Sequence, residues 1–236
     1  LQPRTPENAG LAGEAESRSR VLLFDDFDGK LALNWNPVRS DPSHVSLTRN
    51  PGKLTITTQR GSIHRGATQD EEGVDIRAKN LYLIDNPLEK GADFVMTTCV
   101  SGFTPATSYQ QAGLLIYGDD DNYLKWGYEY NWPKEEGQAF CILTETNAVS
   151  DFHYIDESES GLNRYWLRLE RTGDRYVYSS STDGKTFRRH GEVSWNCDGP
   201  TRLGILAKNG GLKDVSELDA GFEFFELRSP APTRKD

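Results

Sequence analysis

Five large side chains, Leu124, Trp126, Tyr128, Tyr130 and Trp132, fall on alternate residues of one stretch, with Tyr123, Lys125, Gly127, Glu129 and Asn131 between them. In a β-strand a period of two sorts these sets onto opposite faces. Facing water, Trp126, Tyr128, Tyr130 and Trp132 would stack on the C–H faces of pyranose rings. Facing a second sheet, the same residues are core. Tyr130 and Trp132 lie toward the strand end, where a sandwich thins, and both readings stay open there. The opposite row, Lys125, Glu129 and Asn131, has a counterpart in Trp166, Arg168 and Glu170, which alternate with Tyr165, Leu167 and Leu169. An exposed ring beside Arg, Lys and Glu is the composition a sugar site uses, with charged groups bonding to hydroxyls. The alternative is charge pairing on a solvated sheet. The candidate carbohydrate-binding residues are therefore Trp132, Tyr130, Trp166, Arg168, Lys125 and Glu129.

Hydrolysis of a glycosidic bond needs two carboxylates roughly 5 to 10 Å apart. Glu129 and Glu170 are weak candidates for such a pair, because acids are plentiful among 36 Asp and Glu. His44, His64, His153 and His190 are scattered, and the chain has no G-x-S-x-G, no H-E-x-x-H and no phosphate-cradling Gly loop. No catalytic residue is expected. Two acidic turns, Asp25, Asp26 and Asp28, and Asp119, Asp120 and Asp121, group the hard oxygen ligands calcium prefers. They lack the EF-hand spacing, and Asx-type turn chemistry explains them as well.

The elements that must hold these residues read as short strands. Ala112–Tyr117, the turn Gly118–Asn122 and the alternating stretch from Leu124 make a hairpin. Further strands are expected at 21–24, 53–58, 80–84, 93–100, 137–144, 165–171, 175–181, 186–187, 203–207 and 220–227, with 59–80 and 145–163 as polar surface loops. Val215–Leu218 would allow one helical turn. About twelve to fourteen strands at regular spacing, joined by Gly, Asn and Asp turns, predict an all-β protein, a two-sheet antiparallel β-sandwich. Residues 1–20 and 229–236 lack periodicity and are expected to be disordered, leaving one domain over 21–228.

With 236 residues, a net charge of −9 and a pI near 5.0, the chain is poorly suited to nucleic acid or an anionic membrane, both of which are bound by basic surface. No run is long and apolar enough for a membrane-spanning helix. The first twenty residues lack the apolar segment of a signal peptide, and a start at Leu1 is compatible with a leader already removed. Cys99, Cys141 and Cys197 are far apart and form no zinc-type cluster, so three buried thiols are expected.

FDDFDG with Trp35 after it, AGLLIYGDDDNYLKWGYEY, YWLRLERTGDRYVYSSSTDGKTF, LGILAKNG and AGFEFFEL together resemble the concanavalin A-like lectin/glucanase jelly roll over roughly residues 21 to 228. Within it, the chain is most similar to the domain at the C-terminus of family-43 β-xylosidases, which also occurs alone. The resemblance implies a sandwich with one concave face, a carbohydrate-linked role and a structural calcium. Matching AGFEFFEL to the last strand puts Glu223 at the calcium's acidic place, with Asp26 and the carbonyl of Gly52 as partners, although relatives usually have Asp there. The catalytic glucanases carry E-x-D-x-x-E or E-x-D-x-E, and neither pattern occurs here.

These readings converge on an exported, secreted or periplasmic, bacterial protein that binds an oligo- or polysaccharide without chemistry of its own. A glycoside hydrolase or lyase of the same fold is the alternative, acting on plant or algal polysaccharide. A module that holds a partner protein is the third.

Overall fold

The computed structural model describes residues 19–63, 68–107, 109–130, 137–155 and 160–230. Most of the expected arm and most of the expected tail lie outside these residues, as do Trp132, Asn131 and His64. Among the described residues there are fourteen strands: β1 Val21–Asp25, β2 Val45–Ser46, β3 Leu54–Thr57, β4 Tyr82–Asp85, β5 Phe94–Ser101, β6 Gln111–Asp119, β7 Asn122–Tyr130, β8 Gln138–Thr146, β9 Val149–Tyr154, β10 Arg164–Thr172, β11 Arg175–Ser181, β12 Arg188–Ser194, β13 Arg202–Lys208 and β14 Asp219–Arg228. They form two antiparallel sheets. One has eight strands in the order β12-β11-β10-β5-β14-β3-β2, with β1 paired to β14; the other has six, β4-β13-β6-β7-β8-β9. This is the predicted β-sandwich, and among the described residues no helix is long and apolar enough to cross a membrane.

The pleat decides what lies between the sheets. On β7, Leu124, Trp126 and Tyr128 are fully buried and meet Tyr165, Leu167 and Leu169 of β10 in one continuous core. Tyr128 and Tyr165 have ring centroids 4.9 Å apart, Trp126 and Tyr178 5.0 Å. Burying an indole strands its N–H unless a partner is found, and Trp126 Nε1 donates to the main-chain oxygen of Ser179 at 3.0 Å. The aromatic stripe is therefore core through Tyr128, and Tyr130 ends the same inward row half-buried.

A second apolar cluster covers part of the outer face of the six-stranded sheet. Ile63, Ala78 and Leu81, together with Val38, pack there against Leu83, Leu115, Tyr117, Tyr123 and Leu206. Residues 59–80, expected as surface loop, are irregular but contribute this buried cover, tied by bridges Ser62–Arg77 and Gln69–Asp75. The expected 145–163 loop contains β9, an edge strand that pairs with β8. Its sequence VSDFHY hides the strand, because most of its residues are exposed and no apolar alternation marks it. Thr186 and Phe187 belong to the turn before β12, and 215–218 is irregular, not helical.

Candidate functional site

The outer face of the six-stranded sheet is built in cross-strand rows. One row runs Lys208, Gln111, Glu129, Ala139 across β13, β6, β7 and β8; the next runs Leu206, Gly113, Gly127, Cys141, Tyr154; the next Gly204, Leu115, Lys125, Leu143, Phe152. In the middle row three neighbouring strands offer Gly, Gly and Cys. A Cβ on Gly113 would lie 2.5 Å from Gly127 Cα, and one on Gly127 2.8 Å from the Ala112 oxygen. The backbones thus approach too closely for any larger residue. On the same face lies a cleft of about 470 Å³ with Gln111, Lys125, Glu129 and Cys141 on its floor and walls that include Ser62, Ile63, Tyr109, Phe152, Gly210 and Gly211.

Polar groups on this floor bond mainly to one another. Lys125 Nζ donates to Glu129 Oε2 at 2.8 Å and to Gln111 Oε1. Tyr154 Oη donates to Glu129 Oε1 at 2.8 Å. Lys125, Glu129 and Gln111 are all buried. Lys208 lines the same cleft, and burial, with the nearby charge of Lys125, pushes its amine down to about 7 against the opposing pull of Glu129. Burial and the Glu129 charge push the Cys141 thiol up, so it stays protonated and is no nucleophile. Over the polar floor stand the rings of Tyr109 and Phe152, both exposed, and Phe152 meets Tyr154 edge-on at 5.7 Å. A flat apolar rim over a hydrogen-bonding floor can stack a sugar ring and bond to its hydroxyls.

The structure does not gather the six expected sugar-binding residues on one face. Lys125 and Glu129 lie on the outer face of the six-stranded sheet. Trp166 and Arg168 lie on the outer face of the eight-stranded one, since their neighbours Tyr165, Leu167 and Leu169 point into the core. Tyr130 belongs to the inward row, and Trp132 lies outside the described residues. On its own face Trp166 carries the Arg164 guanidinium at 4.5 Å and packs on Gly184, while Arg168 covers the Phe187 ring at 3.6 Å. Glu170 shares that face, so the core separates it from Glu129 and the two cannot act on one bond. Glu145 sits six residues along β8 from the partner of Glu129, roughly 20 Å away. Among the described residues, Glu129 is the one carboxylate lining the cleft.

The acidic turns are accounted for by turn chemistry. Asp25, fully buried, accepts the N–H groups of Phe27, Ala32 and Leu33 and the Trp35 indole N–H at 2.7 Å. Asp120 takes a bidentate Arg39 at 2.9 Å and the Tyr117 hydroxyl. Asp183 accepts from Thr186 N, Lys185 N and Ser181 Oγ, which hold its carboxyl down at about 2. The expected calcium set fits less well. Glu223 accepts from Arg164 at 2.6 Å and faces Lys53 at 3.6 Å, so two cations stand where a metal's charge would. Burial opposes ionisation there, yet the Arg164 bond, Ser101 and both cations keep the carboxyl below its ordinary value. Asp26 is exposed and accepts the Asp28 N–H, and among the described residues no group of three His, Cys, Asp or Glu side chains is placed to hold a metal.

Sequence reasoning found Lys125 and Glu129 but missed Gln111, Lys208, Tyr154, Tyr109 and Phe152. The signal that pointed to them was Gly inside two strands, at 113 and 127, which marks a place where something approaches the backbone closely.

Residues 41–230 match the model of a family described as "Protein of unknown function (DUF1349)". Among curated proteins no match was found. Among solved structures, the GH43 protein BlXynB of Bacillus licheniformis is 25% identical with a TM-score of 0.71, over 87% of this chain and 39% of that one. A xylan β-1,4-xylosidase from Bacillus halodurans is 18% identical at 0.66, over 96% of this chain and 41% of its own. A functionally unknown protein from Saccharomyces cerevisiae is 19% identical at 0.62, over 84% of this chain and 97% of its own. The chain thus spans about two fifths of the GH43-type structures it resembles. The expected likeness to the concanavalin A-like domain of such enzymes holds.

Proposed function

The chain belongs to the DUF1349 family, and from that premise we propose that it binds a saccharide, without turning it over, in the cleft on the outer face of the six-stranded sheet. The observation that carries this reading is the preassembled array of Lys125, Gln111, Glu129 and Tyr154 beneath the exposed rings of Tyr109 and Phe152. Charged groups already held in place lose little further freedom when a hydroxyl joins them. Likeness to a domain-sized part of xylosidase-type proteins supports a carbohydrate ligand. Turnover is disfavoured because Glu129, the sole described carboxylate in the cleft, is bonded to both Lys125 and Tyr154.

The test is a glycan array followed by calorimetry on the strongest hits, using the unmutated protein, Tyr109→Ala and Phe152→Ala. Each loss of a stacking ring should weaken binding about 3- to 10-fold. If no glycan binds, or if binding ignores both rings, the reading fails. Release of reducing ends from a polysaccharide panel would establish the hydrolase alternative instead.

A further inference from the structure

Lys208 ends β13 inside the cleft, and only 6% of the residue is exposed. Its ammonium can donate three hydrogen bonds. The one it makes is to the main-chain oxygen of Asn209, at 3.3 Å. Potential partners nearby are engaged elsewhere. Gln111, its register neighbour on β6, accepts from Lys125, and Glu129 accepts from Lys125 and Tyr154. Burial, with nearby carboxylates, pushes the Tyr123 hydroxyl and the Cys141 thiol of the cleft up, so neither supplies a negative charge. Two lysines therefore face one carboxylate, and that carboxylate is already bonded to Lys125.

A buried ammonium without an anion is costly to keep, and this one lines the cleft a ligand would enter. We infer that the saccharide taken by this cleft is acidic, with a carboxylate or sulfate oxygen seated on Lys208 Nζ. This rests on the saccharide reading of the cleft and adds the class of sugar. The chain as a whole carries −9, so its long-range field repels such a ligand. Selectivity must come from this one short contact. With its amine pushed down to about 7, the free protein holds Lys208 partly neutral, and an arriving anion draws a proton onto it.

The test compares, by calorimetry at pH 6, an oligogalacturonate, its carboxyl-reduced neutral counterpart and a sulfated oligosaccharide of similar length, on the unmutated protein and on Lys208→Met. The acidic ligands should bind at least about tenfold tighter than the neutral one. The better of the two names the acid. In Lys208→Met that preference should vanish. Repeating the titration at pH 8 in buffers of different ionisation enthalpy should show uptake of close to one proton in the unmutated protein, a readout that needs no variant. Equal affinity for acidic and neutral sugars, or a preference that survives Lys208→Met, overturns the inference and leaves the saccharide reading standing. Absence of any saccharide binding removes both.

Discussion

Lys125 Nζ lies 2.8 Å from Glu129 Oε2, although four residues on one strand set their Cα atoms roughly 13 Å apart. They meet because Gly127 sits between them on the same face with no side chain to stand in the way. Two long side chains lie down over a bare backbone and join across it, and Gln111 and Tyr154 complete the array from the neighbouring strands.

The first prediction concerns this pair. Lys125→Met or Glu129→Gln alone strands the other group in a buried place and should cost about 3–5 kcal/mol of stability. The double variant Lys125→Met/Glu129→Gln should cost less than the sum of the singles. A urea-denaturation double-mutant cycle measures this, and additive losses would show that the two groups do not depend on each other.

Asp25 is a buried carboxylate that satisfies four donors from the chain that follows it. Asp25→Ala should destabilise by roughly 3–5 kcal/mol, because those donors have nowhere else to turn. Trp35 reports the change, since its indole N–H is released and its fluorescence should shift on substitution. A variant that melts within a degree of the parent would refute the role.

Lys208 gives a pH dependence. The unfolded chain keeps this proton up to about 10.5, the folded one only to about 7. Between those values the unfolded state binds more protons, so the stability contributed by this site rises with pH from about 7 to about 10.5. Lys208→Met should therefore be more stable than the parent at pH 6, by roughly 1–4 kcal/mol, and the gain should shrink toward zero by pH 10. Urea titrations at pH 6, 8 and 10 measure it; a gain that grows with pH has the wrong sign for a depressed amine.

Trp166 lies on the far side of the sandwich from the cleft. Trp166→Ala should leave saccharide affinity within about twofold, the scatter expected of a distant surface change, whereas Phe152→Ala weakens it. Calorimetry with the same glycan distinguishes the two faces, and a large loss at Trp166 would move the site to the eight-stranded sheet.

Local periodicity made the architecture legible and the site only half so. Alternation in LKWGYEY and YWLRLE tells which side chains share a face of one strand. It carries no information on which of two sheets that strand joins, and so Trp166 and Lys125, each correctly outward, were grouped although the core divides them. Lys208 closes the apolar run LGILAK, where a terminal lysine reads as a solvated end; the cleft it lines is walled by Ser62 and Ile63, distant in sequence, and by Gly210 and Gly211 just after it. Strand β9 escaped because an edge strand with both rows wet has no pattern to show.

Gly113 and Gly127 stand opposite each other on neighbouring strands of the face that carries the cleft, and neither position has room for a side chain. Change at those two positions has a single direction: any replacement presses on the facing backbone. With that row fixed, the cleft is bordered by β9 and by the loops bearing Tyr109, Ile63 and Gly210, and loops are the parts of a fold freest to vary in length.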